Sequence, residues 1–280
     1  MAERKPVTAP ELVAMKSRGE KVVVVTAYDY AGALYADRAG VDAILVGDTL
    51  GMVVQGHDTT LPVTPDEILY HVRAVVRARP RALVVADMPF LSYQVSEEEA
   101  IRTAGRFIKE GGAGAVKLEG GDAVVALVRR MVSIGIPVMA HLGLTPQSVH
   151  TLGGFRVQAR SPEAARQLLR DACELEEAGA FSLVLEGVPT EVAKVVSQSL
   201  RIPTIGIGAG VHCDGQVQVF HDMLGLYDPF TPKHAKRYAE LGQAVHDAIA
   251  TYAAEVRAGQ FPEEAHSYHQ RDLEDPSKWT

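Results

Sequence analysis

Short apolar runs alternate with longer amphipathic stretches along most of this chain. The runs cover 22–27, 43–46, 82–86, 115–118, 137–140, 182–185, 204–207 and 217–220. They are near-continuous rather than alternating, the pattern of parallel strands buried on both faces. The intervening stretches carry readable helix starts. Thr64-Pro-Asp-Glu67 is a capping box with proline at the first helical position, and Ser96-Glu-Glu-Glu99 is a second box. Ser161-Pro162 opens a helix whose Leu168, Leu169, Ala172 and Leu175 share one face. Gly111-Gly112 and Gly179 fit helix ends. Eight strands in strict βα alternation, with no hairpin signal, predict an α/β fold, a single (β/α)8 TIM-type barrel. An open doubly wound sheet is the alternative, because closure is not written in the pattern.

Three segments frame the strands. Residues 1–20 form an N-terminal helical segment, in which Thr8-Ala-Pro-Glu11 starts a helix suited to plug the barrel's N-terminal face. Residues 21–258 are the barrel, closed by a helix expected over 233–256. Residues 259–280 form a polar tail with Pro262 and several acidic residues, either mobile or packed on a neighbouring subunit.

Composition narrows the partners. The 280 residues are close to the ~250 of a typical barrel and need no second domain. The net charge of -7 comes without a basic stripe, which argues against nucleic acid. Arg73, Arg77, Arg79 and Arg81 cluster at an expected helix end, where cations complement the dipole, and read as a solvated face. Cys173 falls in an amphipathic helix. Cys213 stands beside His212 and Asp214 without zinc-site spacing. No disulfide framework is expected, which points to a cytoplasmic home. The N-terminus shows no signal-peptide run, and 22–25 is far too short to span a membrane.

The chemistry lies in where the polar residues fall. Catalytic residues of such barrels stand at the C-terminal ends of strands. Here those ends carry Asp48 and Thr49, Asp87, Lys117 and Glu119, His141 and Glu186. Taken singly, each has a plain structural role: an aspartate after a strand is more often a turn or cap residue than a ligand. Together they are harder to dismiss, since unpaired buried charges are costly. Three carboxylates at one rim repel one another unless a cation holds them, and hard oxygen ligands favour Mg²⁺ or Mn²⁺ over zinc. Lys117 and Glu119, two apart on one strand, point to the same side. They are either a plain ion pair or a divided pair, one meeting the metal and the other an anionic substrate. Glu186, followed by Gly-Val-Pro, has an apolar setting that suits a base. The run Ile205-Gly-Ile-Gly-Ala-Gly210 lacks the order of a dinucleotide fingerprint. Tight backbone packing and close approach of a substrate are equal readings of it.

With these residues in view, the sequence resembles the ketopantoate (3-methyl-2-oxobutanoate) hydroxymethyltransferase family. The likeness runs from roughly Thr26 to Pro232. It rests on Thr26-Ala-Tyr-Asp29, Val46-Gly-Asp-Thr-Leu-Gly-Met52, Gly56-His-Asp-Thr-Thr-Leu-Pro-Val63, Ala86-Asp-Met-Pro-Phe90, Val116-Lys-Leu-Glu-Gly120, His141-Leu-Gly-Leu-Thr-Pro146, Leu185-Glu-Gly-Val-Pro189 and the glycine run. The resemblance implies transfer of a hydroxymethyl group from 5,10-methylenetetrahydrofolate to 3-methyl-2-oxobutanoate, giving 2-dehydropantoate in pantothenate synthesis. It implies Mg²⁺ held by Asp48, Asp87 and Glu119. Substrate contacts fall on Asp48, Thr49, Asp87 and Lys117, and the proton acceptor is Glu186. His141 matches a histidine near the site. Thr49 stands where the family often has serine, which keeps the hydroxyl and adds a methyl. Large homo-oligomers, often decamers, are implied as well. A Mg²⁺-dependent carbon–carbon lyase or phosphonomutase of the related 2-oxoacid barrels is the alternative enzyme. Many of those carry a catalytic cysteine in a mobile loop, and no cysteine lies between Asp48 and Lys117. A metal-binding or assembly barrel without activity leaves Lys117 and Glu186 without a task.

Overall fold

The computed structural model describes residues 5–227 and 231–269. The start of the expected N-terminal segment (1–4), residues 228–230 and the end of the expected tail (270–280) lie outside the described residues. Eight strands are present: β1 (Val22–Thr26), β2 (Ala43–Val46), β3 (Leu83–Asp87), β4 (Ala115–Glu119), β5 (Val138–Gly143), β6 (Ser182–Glu186), β7 (Thr204–Ile207) and β8 (Gly215–Gln218). Each pairs in parallel with the next and β8 returns to β1, so the sheet is a closed barrel. The helices are α1 (Ala9–Ser17), α2 (Tyr30–Ala39), α3 (Leu50–Val53), α4 (Pro65–Arg77), α5 (Glu97–Lys109), α6 (Asp122–Ser133), α7 (Val149–Leu152), α8 (Pro162–Glu177), α9 (Thr190–Ser199), α10 (Phe220–Met223) and α11 (Leu241–Arg257).

Two hydrophobic layers follow from the strands' two-residue period. Residues such as Ile44, Val84, Val116, Leu183 and Leu185 face the helix ring. Their neighbours Leu45, Val85, Ala115, Met139, Val184 and Ile205 fill the barrel interior. Two residues further along the same inward rows come Asp87, Lys117, His141 and Glu186. The sequence period thus lifts these polar side chains to one mouth on top of a packed apolar floor.

At the opposite mouth α1 packs against the interior layer. The Thr8 hydroxyl caps α1 by accepting from Glu11 N, and the fully buried Leu12 joins Ala9 and Met15 in the interior cluster. Lys16 ties α1 to the barrel floor. Its Nζ donates to Ser197 O at 2.7 Å and Ile202 O at 2.9 Å, and pairs with Asp214 at 2.8 Å. Thr64 and Glu67 form both arms of the box on α4. Ser96 caps α5 with one bond, from Glu99 N, in place of the reciprocal pair expected.

Two elements differ from the sequence reading. The last strand is Gly215–Gln218, and Phe220 already belongs to α10. Register explains the shift. Gly215 pairs with Val22, where a Cβ would run into Val22 O, and Phe220 N turns away to donate to Thr26 Oγ1 at 3.0 Å. The last long helix begins at Leu241, not at 233. The segment before it turns at 233–234 and is tied to β8 and α10: Gln218 donates to His234 O and accepts from Lys236 N, and Tyr238 N donates to Met223 O.

Candidate active site

Sheet register assembles the site. Asp87 on β3 is level with Lys117 on β4, and Glu119 on β4 is level with His141 on β5. Level neighbours on parallel strands present their side chains to the same face, so both pairs are cross-strand contacts. Lys117 Nζ donates to both Asp87 oxygens, at 2.8 and 2.9 Å. Its approach to Glu119 is longer, 3.7 Å. The plain Lys117–Glu119 pair weighed from sequence is therefore the weaker of the two contacts.

Glu186 enters by way of β5. Gly143 is level with Glu186 and sits at φ +95°, where a Cβ would collide with Glu186 O. Only glycine lets β5 and β6 lie that close. His141 then spans two carboxylates: Nδ1 lies 3.2 Å from Glu119 Oε1, and Nε2 lies 3.4 Å from Glu186 Oε2. These are ion-pair distances rather than well-aimed hydrogen bonds.

Thr26, Asp48, Thr49, Asp87, Lys117, Glu119, His141 and Glu186 all line one cavity of ≈ 50 Å³ at the C-terminal mouth. Every sequence-derived site residue is brought together there. A larger hollow of ≈ 750 Å³ lies at the N-terminal face beside α1. Its Arg18 is paired with Glu11 and Glu20, and its Arg81 with Asp37. Barrel enzymes work at the other end, and the titratable cluster is there.

Burial sets the electrostatics. Asp48, Asp87, Lys117, Glu119 and His141 are all buried. Burial and then the charges of Asp87 and Glu119 push the Asp48 carboxyl well above its ordinary range. Asp87 is also raised, because burial outweighs the ammonium of Lys117. Burial works to raise Glu119 too, but His141 and Lys117 hold it below the usual value. Burial works to lower Lys117, yet Asp87, Glu119 and Asp48 keep it above an ordinary lysine. Burial and Lys117 oppose a charge on His141, but Glu119 and Glu186 outweigh them and push it up to about 9. Four carboxylates thus face one lysine and one imidazolium. With the carboxylates ionised, the shortfall is the charge of one divalent cation.

The donor set fits such an ion chemically. Asp48 and Asp87 offer hard carboxylate oxygens, and Asp48 Oδ1 has no hydrogen-bond partner among the described residues. Among the described residues no three His, Cys, Asp or Glu side chains are already gathered as a metal cage. Glu119, the third expected ligand, has its oxygens engaged by His141 and by Gln147 N.

Sequence reasoning missed Gln147 and Tyr93. Gln147 Nε2 donates to Asp48 Oδ2 at 2.9 Å and Met88 O at 2.9 Å, and Tyr93 OH donates to Gln147 Oε1 at 2.8 Å. Neither residue carries a charge at neutral pH. The one available signal was that Gln147 follows directly on the His141-to-Pro146 motif. The glycine run takes its plain reading: a Cβ at Gly206 would press on Cys213 and Gln216, and one at Gly210 would collide with Thr190. These glycines pack against their own chain.

Comparison with known proteins bears on this site. The family model described as ketopantoate hydroxymethyltransferase matches residues 6–264. A 3-methyl-2-oxobutanoate hydroxymethyltransferase of Moorella thermoacetica is 60% identical over 268 residues, 96% of this chain and 100% of that protein. One of Carboxydothermus hydrogenoformans is 56% identical, over 94% and 95% of the two chains. Among solved structures, a 2,3-dimethylmalate lyase of the PEP mutase/isocitrate lyase superfamily aligns with a TM-score of 0.59 at 19% identity, covering 94% of this chain and 90% of that one. Phosphonopyruvate hydrolase in complex with oxalate and Mg²⁺ aligns with a TM-score of 0.61 at 14% identity, over 95% and 92%. At such identities the solved structures share the barrel alone. The match along nearly the whole chain, at identities of 56–60%, settles the lineage: this chain belongs to the ketopantoate hydroxymethyltransferase family.

Proposed function

We propose that this chain transfers a hydroxymethyl group from 5,10-methylenetetrahydrofolate to 3-methyl-2-oxobutanoate, giving 2-dehydropantoate on the route to pantothenate. The observation that carries the reading is the mouth itself: four carboxylates converge on one lysine and one histidine held between two of them. The shortfall of positive charge is our ground for a divalent cation, Mg²⁺, at Asp48 and Asp87 with Glu119 beside them. Bound there, the cation would supply Lewis acidity next to the keto group, favouring loss of the C3 proton. The Mg²⁺ and oxalate of the phosphonopyruvate hydrolase complex, on the same fold, agree with a metal-assisted oxoacid site.

The chain's own residues do the rest. Glu186 accepts the C3 proton. His141 is the rival base, but both its ring nitrogens face carboxylates, Nδ1 toward Glu119 at 3.2 Å and Nε2 toward Glu186 at 3.4 Å, and these two favour its protonated form. It steers Glu186 instead. Asp48, Thr49, Asp87 and Lys117 receive the oxoacid, with Lys117 setting the charge balance. One water is consumed: it hydrolyses the two C–N bonds of the methylene bridge, so that the one-carbon unit is delivered at the formaldehyde level and tetrahydrofolate leaves. The C3 carbanion bonds to that carbon, and the alkoxide formed takes up the proton held by Glu186 to become the hydroxymethyl group.

The same proposal covers organisation: residues 21–258 as the barrel, 1–20 as its helical plug and 259–280 as a tail. The setting is the cytoplasm, in keeping with the free thiols of Cys173 and Cys213. No helix among the described residues is long and apolar enough to cross a membrane. The working form is a homo-oligomer, a decamer, and the unburied α11 is its contact surface. Product assay tests the function. 2-Dehydropantoate should form from the oxoacid and methylenetetrahydrofolate, stop with EDTA and resume with Mg²⁺. Turnover of phosphonopyruvate or a 2-alkylmalate with no 2-dehydropantoate formed would replace this reading with the lyase alternative.

A further inference from the structure

We infer that Gln147 is a positioning residue that fixes the carboxylates around the proposed cation, an inference that rests on the metal reading above. Gln147 is buried, on the one-turn helix Pro146–Ser148 that follows β5. From there it reaches three strand ends at once. Its side-chain Nε2 donates to Asp48 Oδ2 after β2 and to Met88 O after β3, both at 2.9 Å. Its main-chain N donates to Glu119 Oε2 on β4 at 3.2 Å.

The direction of the amide is forced. Flipping it would set Oε1 against Met88 O and the Asp48 carboxylate, acceptor against acceptor. The correct face is held by Tyr93, whose OH donates to Gln147 Oε1 at 2.8 Å, and by Gln94 Nε2 at 3.3 Å. Tyr93 in turn is fixed by accepting from Glu119 N at 3.2 Å. The Gln147 side chain therefore orients the Asp48 carboxylate, its main chain holds the Glu119 carboxylate, and Tyr93 anchors both the Gln147 amide and the Glu119 main chain. With Oδ2 of Asp48 taken by the amide, Oδ1 is left to face the cavity. Neighbours that orient a ligand without touching the metal are worth about 10–100-fold in metal affinity.

The test measures Mn²⁺ affinity of the full-length chain without substrates, by electron paramagnetic resonance, beside its melting temperature. Gln147→Met and Gln147→Leu should each raise the Mn²⁺ Kd about 10–100-fold. Tyr93→Phe should act in the same direction, and adding it to Gln147→Met should cost little more. Saturating Mg²⁺ should restore much of kcat while the activation constant for Mg²⁺ stays raised. Variants that melt lower but keep the parent's Mn²⁺ Kd would show a merely structural role and overturn the inference. If Gln147→Met does not fold, Gln147→Leu and Tyr93→Phe decide the matter on the same terms. A parent that binds no Mn²⁺ overturns the metal reading itself, whereas a parent that binds it and variants that bind it equally overturn only the role of Gln147.

Discussion

Glu119, His141 and Glu186 form a line of charge across three strands, and this line divides the labour among the carboxylates. Glu119 lies 3.7 Å from Lys117 Nζ at one end of the imidazole, while Glu186 stands at the other end. A base must meet the C3–H on the side away from the metal and must be unprotonated. Glu186→Gln should therefore nearly abolish exchange of the C3 hydrogen of 3-methyl-2-oxobutanoate with D₂O, followed by NMR with Mg²⁺ present, while oxoacid binding persists. Parental exchange in Glu186→Gln, with loss in His141→Asn, would move the role of base to His141. Lys117 is a different case, because it grips Asp87 through two hydrogen bonds in a fully buried setting. Removing one partner of a buried pair costs about 3–5 kcal/mol. Lys117→Ala should lower stability by that order in urea melts. It should also weaken the oxoacid more than the folate in calorimetry, and equal weakening of both would leave Lys117 a structural ion-pair partner only.

At the scale of elements, α10 illustrates what a pattern can and cannot carry. Its Asp222 is buried, and burial raises its pKa to about 6 even though Arg237 pulls the other way. The other titratable neighbours are Tyr28, itself raised by burial, and His221, lowered by burial. A carboxyl whose folded pKa exceeds its unfolded value binds its proton more tightly when folded. The protein therefore loses stability as pH climbs from about 4 to about 6, and the penalty, on the order of 2 kcal/mol, is constant above that. Asp222→Asn should be more stable than the parent at pH 7.5 in urea melts, with the gap closing as pH falls toward 4. A gap independent of pH would remove Asp222 from the account. No such detail was legible in the sequence. The strands were, because unbroken Val, Ile, Leu and Ala runs have few other fates in a βα alternation. The identities at the strand ends were legible for the same reason: the mouth is where a barrel must put them. Pairing was not. Lys117 prefers Asp87 because register sets them level, and register is a property of closure rather than of either strand. The start of α11 was misplaced because the bonds from Gln218 to the segment before it are tertiary contacts that no helical period reports.

The molecule as a whole leaves one long element unaccounted for. α11 has no buried residue over its 17 positions. Leu241, Val245, Ile249, Tyr252 and Val256 fall at helical spacing along one stripe, each between 39% and 61% exposed. The helix is tethered at its start, where Leu241 N and Gly242 N donate to Leu224 O and Gly225 O. Near its end Tyr252 packs edge to face with Phe261, from the first residues of the tail. A helix of this length on its own is marginal in water and draws its stability from packing an apolar face. A second copy of this chain is the occupant we assign to that face, since the proposed working form is a homo-oligomer. Glutamates in the middle of such an interface would be buried without partners, which is strongly unfavourable. The parent should sediment as a large assembly, with a decamer as the expected size. Val245→Glu combined with Ile249→Glu should fall to a smaller species at the same concentration, while the barrel keeps its far-ultraviolet circular dichroism apart from the share of α11. A parent that sediments as a monomer, or a double variant that sediments like its parent, would strip α11 of this role.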